Sequence, residues 1–405
     1  MKKRTLTTIV VIVMLLCLPL SSSFAKSEPV TGNIKLGVSG IKTNDKVYFG
    51  SYLSEPIAWQ VIGSTVFLNT SVASGTSVLS LLSEHLLAST TYFSSTYDFY
   101  PNSGLQVKID SIYNGFITQE KDAVVSTTLF AIDTEGGELS NQKLFALSEP
   151  EALEFASDSL RVASFSTSGP AAWWLRTSRN EERASYVTVS GMVSRTEKSY
   201  SFGVRPAFHL DQSAVIFSSA LTNGKRSAGV GSSAMVSVSP ADTASEWKLT
   251  LLDKSRSGFS ISTSAISGSS ASIDYTGAKT GENEYLSAII EDQGSVIYYG
   301  RILQLDGTTH GSSGSATINI PSGITLDADT TLKIFNEQYN SDASESPILT
   351  DYSSALKSAT LPADIPSTGD SSLLGLWLGI ALAAIVGLAA SVLIGRKIKR
   401  VGETD

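Results

Sequence analysis

Histidine is the side chain that most readily moves protons near neutral pH, and this 405-residue chain has three. His85, His209 and His310 stand in unrelated contexts. His209 reads as a packed or edge residue of a strand rather than a base. His310, between Thr309 and Gly311, reads as a solvated turn, and Asp306-Gly307-Thr308 as a turn rather than a calcium loop. No serine elbow, phosphate loop or paired-histidine zinc motif occurs, and no residue combination sets up an activated nucleophile. With three His and one Cys, a zinc site of His and Cys ligands is excluded, and no cofactor or metal is expected. Carboxylates are plentiful, so a glycoside-hydrolysing pair stays open, but nothing selects one. Trp173 and Trp174 are neighbours on an expected strand and so point to opposite faces. Both read as core; the alternative is that one is a stacking platform for sugar or peptide. Arg176 and Arg205 read as structural ion-pair partners, or else as contacts to an anionic ligand. Lys248 and Asn336 lie in the first and last expected strands of the second half.

The elements that must position these residues fall into two sets. Lys46–Ile62 reads as a hairpin turning at Glu55-Pro56, with Trp59 inward. Ile109, Ile112, Tyr113 and Phe116 share one face of a helix over 108–116, and a second short helix is expected over 119–125. A buried strand over 143–147 precedes a helix over 149–155, capped by Ser148, with Pro150 at its start and Glu151 at the third position. Trp173–Ser178, a strand ending near Val189, a turn at Gly191 and a closing strand over 203–210 complete an α+β head, 46–211. Pro206 belongs at an edge or bulge. A Ser/Gly-rich linker, 212–244, leads to about seven β-rich runs over 245–341, expected as an all-β immunoglobulin-like sandwich. A Ser/Pro/Ala spacer follows over 342–364.

Both ends carry address signals. Lys2, Lys3 and Arg4, an apolar run over 9–20 and small residues to Ala25 make 1–25 a signal peptide, cleaved between Ala25 and Lys26. Cys17 leaves with it, so no disulfide is available afterwards. Near the other end stand Ile365, Pro366, Ser367, Thr368 and Gly369, then an apolar run over 373–394 long enough for a transmembrane helix, then a basic tail over 395–405. The ectodomain is therefore expected outside the cell. Omitting the seven basic and three acidic residues outside 26–368 leaves 23 basic and 35 acidic, a net charge of −12. With a whole-chain charge of −8 and no basic stripe, a nucleic-acid partner is excluded.

The C-terminal arrangement resembles an LPxTG-type sorting signal of Gram-positive cell walls, with Ile365 in place of Leu. That resemblance implies sortase and peptidoglycan as partners, with Thr368 as the attachment residue. Phe49-Gly50, Pro56-Ile57-x-Trp59, Phe116 to Lys121, Leu144 to Ser148, Trp173 to Arg176 and Gly203 to Ala207 together resemble an uncharacterised domain of exported Gram-positive proteins. The family pattern has Ser-Pro after the arginine, where this chain has Thr177-Ser178. The closing part is also similar to C-type-lectin-like and formylglycine-enzyme-like domains. The Lys248/Asn336 pair resembles the Lys–Asn isopeptide crosslinks of Gram-positive adhesin domains. No activity comes with these resemblances. The expected function is a wall-anchored or single-pass surface protein that binds a glycan or another surface ligand without catalysis. The alternative is a wall-anchored hydrolase of polysaccharide or peptidoglycan.

Overall fold

The hairpin Lys46–Tyr52/Glu55–Gly63 is antiparallel, and it turns on Leu53 and Ser54, not on Glu55-Pro56. Both turn residues have positive φ, +53° and +67°, the pattern of a type I′ turn that matches strand twist. The computed structural model describes residues 34–94, 99–130, 137–238, 244–340 and 350–359, all within the unit Met1–Ala359. The signal peptide, pentapeptide, 373–394 helix and basic tail lie outside the described residues. Among the described residues no helix is long and apolar enough to cross a membrane.

The chain is β-rich. Its main sheet runs from Ser295–Gln304 through Glu284–Asp292, Thr330–Gln338, Asp351–Ser353 and Glu246–Leu252 to Lys46–Tyr52, Glu55–Gly63, Val78–Ser83 and Pro206–Asp211. The strand Glu246–Leu252 is where the two halves meet. Along one edge it pairs antiparallel with Val215–Ala220. Along the other, Glu246 to Lys248 run parallel to Lys46–Tyr48, and Thr250 to Leu252 run parallel to Asp351–Ser353. The 212–244 stretch expected as a linker thus contributes a buried strand. The 342–364 stretch expected as a spacer returns to the sheet at 350–359, where Asp351, Tyr352 and Ser353 are buried.

In the head, a five-stranded sheet holds Trp173–Ser178 between Arg183–Val187 and Ser201–Val204. The helices Gly104–Asn114, Thr118–Ala123, Glu149–Leu153 and Asp158–Arg161 all fall between residues 104 and 161. Ser148 caps the third through a capping box with Glu151, as the sequence spacing implies. Indole and phenyl rings fill the core: Trp59 meets Phe208 edge-on at 4.7 Å, and its Nε1–H donates to the Phe49 carbonyl.

In the second half, strands at 260–267, 270–276, 284–292, 295–304, 314–319 and 330–338 fall close to the expected runs. Two layers form, Ser260–Ser267/Ser270–Thr276/Gly314–Asn319 against the main sheet, with Ile273, Leu286, Ile302, Ile318 and Ile334 between them. The pairing departs from the immunoglobulin order: the second strand pairs with the third across the short turn at Gly268-Ser269, where an immunoglobulin domain pairs its second strand with the first and fifth.

Gly50 sits at a register shift in its strand with φ +68°, and a Cβ there would stand 2.7 Å from the Phe116 ring. Gly50→Ala is expected to cost about 2–4 kcal/mol, from left-handed strain plus displacement of a packed ring. A denaturant titration monitoring tryptophan fluorescence reads this as a lowered midpoint.

Candidate functional site

Trp173 and Trp174 do point to opposite faces, and both faces are covered, so each ring is fully buried. Trp173 Nε1–H donates to the Arg161 carbonyl at 3.0 Å. Trp174 meets Phe93 edge-on at 5.5 Å and Phe202 at 4.7 Å. Neither offers a surface platform. Arg176 forks onto Glu151, with both N–O distances 2.5 Å, and donates to the Ala146 carbonyl at 2.9 Å. Arg205 is buried over the Trp173 ring, 5.2 Å from its centroid, and donates to the carbonyls of Ser83 and Arg161. Carbonyls rather than a carboxylate hold it, and burial pulls its guanidinium down to about 10. The four motif residues are therefore all in the head core: Arg176 holds its strand to the Glu149–Leu153 helix, and Trp173 and Arg205 hold theirs to the Asp158–Arg161 helix.

His209 is also a packing residue. Its Nε2 accepts the Phe67 backbone N–H at 3.1 Å, so Nδ1 carries the proton and donates to Thr127 Oγ1 at 2.9 Å. Burial lowers it to about 4. Asp306 Oδ1 accepts backbone N–H groups from Thr308, Thr309 and His310, which makes its loop an Asx turn.

Two clefts flank this core. The smaller, about 360 Å³, lies between residues 62–67 and the segment 151–160. Its Glu151 has both oxygens committed to Arg176, leaving Glu154 as the carboxylate of that wall facing solvent. The larger, about 700 Å³, lies beside the Leu53-Ser54 turn. Tyr52, Leu53, Pro56 and Phe165 give it an apolar surface, while Glu55, His85 and Thr167 supply polar groups. His85 Nδ1 is buried with no hydrogen-bond partner, and Leu53 is 80% exposed. Apolar walls with a few converging polar groups are what a small-ligand site requires. Nothing in the sequence points to Leu53 or His85 for this role.

Lys248 and Asn336 are not brought together. Lys248 Nζ is 2.8 Å from Asp351 Oδ1. The Asn336 side chain is held elsewhere by Arg256, Glu284 and Lys279. Alternation along Thr330–Gln338 places Asn336 on the sandwich side and Glu337 on the side of the lysines. There Glu337 and Asp351 both contact the buried Lys225. Burial alone would lower the Lys225 amine, but these two carboxylates outweigh it and hold it above the ordinary lysine value. Lys248 lies below that value, chiefly through burial. Among the described residues no group of three His, Cys, Asp or Glu side chains could hold a metal ion.

Residues 63–212 match the family described as a domain of unknown function, DUF6273. The matched segment contains Trp173, Trp174, Arg176, Arg205, His209 and most of both cleft walls. No curated protein and no solved structure matches the chain.

Acid is expected to weaken the fold through His209. Its folded pKa lies below its unfolded value, so the unfolded chain binds the proton first. Stability is full above the unfolded value near 6.5 and falls as pH drops toward about 4. The loss amounts to about 3 kcal/mol at the bottom of that window. In His209→Gln, urea titrations from pH 6.5 to 5 give a flatter profile than the wild type.

Proposed function

We propose that the chain is an exported, cell-surface-anchored binding protein of a Gram-positive bacterium, and that the 700 Å³ cleft beside Leu53 and His85 takes its ligand. The observation that carries this reading is a cleft whose wall sets Tyr52, Pro56 and Phe165 beside Glu55, His85 and Thr167, with an exposed leucine at its lip. Tyr52 and Phe165 suit the apolar face of a sugar ring or a peptide side chain. The ectodomain charge of −12 disfavours anionic wall polymers and favours neutral or cationic ligands.

Anchoring rests on the sequence of the two ends: the signal peptide cleaved before Lys26, the 365–369 pentapeptide and the 373–394 span. Sortase and peptidoglycan are the partners this implies, with Thr368 as the linked residue. The finer fold readings belong to the same proposal. Short helices packed on a Trp-bearing closing sheet support a head akin to C-type-lectin-like or formylglycine-enzyme-like domains. The alternative, a wall-anchored hydrolase, needs two free carboxylates about 5–9.5 Å apart. The engagement of Glu151 by Arg176 leaves the smaller cleft poorly furnished for that chemistry.

Screening the full chain on arrays of bacterial and host glycans and wall peptides tests the cleft. Leu53→Asp and His85→Ala are each expected to weaken a hit at least about tenfold, with the thermal unfolding midpoint not lowered by Leu53→Asp, since aspartate tolerates the left-handed turn better than leucine. Hits that both variants retain would place the ligand elsewhere, and release of soluble sugars from wall polysaccharide would favour the hydrolase. In cells, Thr368→Ala is expected to move the protein from the wall fraction to the membrane fraction.

A further inference from the structure

The cluster of Lys225, Lys248, Glu337 and Asp351 does not belong to either cleft. All four side chains are at most 5% exposed, and the rings of Tyr299 and Tyr339 lie 5.8 and 5.5 Å from the Lys225 nitrogen. Two ammonium groups and two carboxylates in such a place carry a large desolvation cost that only their contacts with one another can offset.

The two oxygens of Asp351 have different surroundings. Oδ1 receives Lys248 Nζ at 2.8 Å and the Asn340 backbone N–H at 2.8 Å. Oδ2 faces Lys225 Nζ at 2.7 Å. Glu337 touches the same Lys225 nitrogen through Oε1, while its Oε2 accepts the Tyr299 hydroxyl at 2.8 Å. Lys225 also donates to Thr250 Oγ1 at 3.0 Å. This is an amine in contact with a carboxyl group, with two donors on one carboxyl oxygen and a second carboxylate, Glu337, on the same amine nitrogen.

We propose that Lys225 and Asp351 are joined by an intramolecular isopeptide bond whose formation is assisted by Glu337. The Lys225 ammonium gives a proton to Glu337, and the neutral nitrogen attacks Cγ of Asp351. Charge developing on Oδ1 is met by Lys248 and the Asn340 N–H, an oxyanion hole already in place. Glu337 passes its proton to Oδ2, takes a second from the attacking nitrogen, and delivers that one to the departing oxygen. The N–C bond forms, the C–Oδ2 bond breaks, and water leaves. Of the three ammonium protons, one stays on the amide nitrogen and two leave in the water, while Glu337 ends as it began. The product replaces a buried ion pair by a neutral amide, and exclusion of bulk water protects it from hydrolysis. Asn336, which the sequence suggested as the acceptor, is on the opposite face of its strand; the acceptor is the aspartate that returns at 351.

Intact mass of the purified full chain under denaturing conditions tests this. The expected value is about 18 Da below that of the sequence for the same termini. A tryptic digest is expected to yield one branched species joining the peptides that carry Lys225 and Asp351, with no cleavage after Lys225. Asp351→Asn is expected to lose about 17 Da instead, as ammonia, and Glu337→Gln to keep the unreduced mass. The wild-type digest needs no variant to fold. A wild-type mass equal to the sequence, with normal cleavage after Lys225, would overturn the proposal. A branch mapped to Lys248, or to Glu337 as acceptor, would overturn the assignment.

Discussion

The constraint on which the rest of the structure depends is that strand Glu246–Leu252 is buried on both faces and paired along both edges. Trp247, Leu249 and Leu251 enter the head core, and the Trp247 Nε1–H is fixed by Asp45 Oδ2 at 2.8 Å. Lys248 and Thr250 face the other way and are also sealed from solvent. An alternating Trp-Lys-Leu-Thr-Leu run would ordinarily put its polar side in water. Here the polar side is covered, so each polar group must find a partner inside the protein. Lys225, Asp351 and Glu337 meet that requirement.

That requirement links remote parts of the chain. Asp351 answers both lysines and stands on a strand that enters the sheet only after residues 341–349. Tyr352, next along the same strand, donates to Glu120 Oε1 at 3.0 Å and so reaches the Thr118–Ala123 helix of the head. Burial raises the Glu120 carboxyl and, with Glu120 nearby, raises the Tyr352 hydroxyl, both consequences of placing this contact inside. Three consecutive residues, 351 to 353, therefore tie the last described strands to the hub, to the lysine cluster and to the head at once.

What the sequence made legible follows from local physics. Strand runs in the second half, the Ser148 capping box and the inward Trp59 are set by alternation, capping and ring size, all short-range. Burial of Trp173 and Trp174 also followed from strand alternation once both faces of the sheet were allowed a covering. The misreadings are long-range. Serine-rich surroundings hid the strand Val215–Ala220, since polar residues there read as linker until a sheet edge is known to receive them. The 342–364 stretch looked like spacer because three strand residues are too few to show a period. Asn336 and Glu337 differ by one position, and only the register of their strand says which faces Lys248. The larger cleft was invisible for the same reason: His85 and Phe165 line one wall yet lie far apart in the chain.

The Leu53-Ser54 turn shows how such a cleft can be held ready. A type I′ turn favours Asn or Gly, and each ordinary side chain in the left-handed region costs about 1–2 kcal/mol. A leucine there, with most of its surface in water, gains nothing in packing to offset the strain. It persists because the register of the hairpin is fixed from outside the turn. Lys46 to Tyr48 pair with Glu246 to Lys248 on the far edge, Trp59 to Gly63 pair with Val78–Ser83, and Tyr52 pairs with Glu55 across the turn itself. With the hairpin register set by these pairings, two residues are left to close the turn between Tyr52 and Glu55. The hub strand thus anchors the base of the hairpin, and the Tyr52–Glu55 pairing at its tip presents Leu53 at the rim of the cleft before any ligand arrives. A site arranged in this way loses little ordering free energy on binding, which is what the proposed recognition role requires.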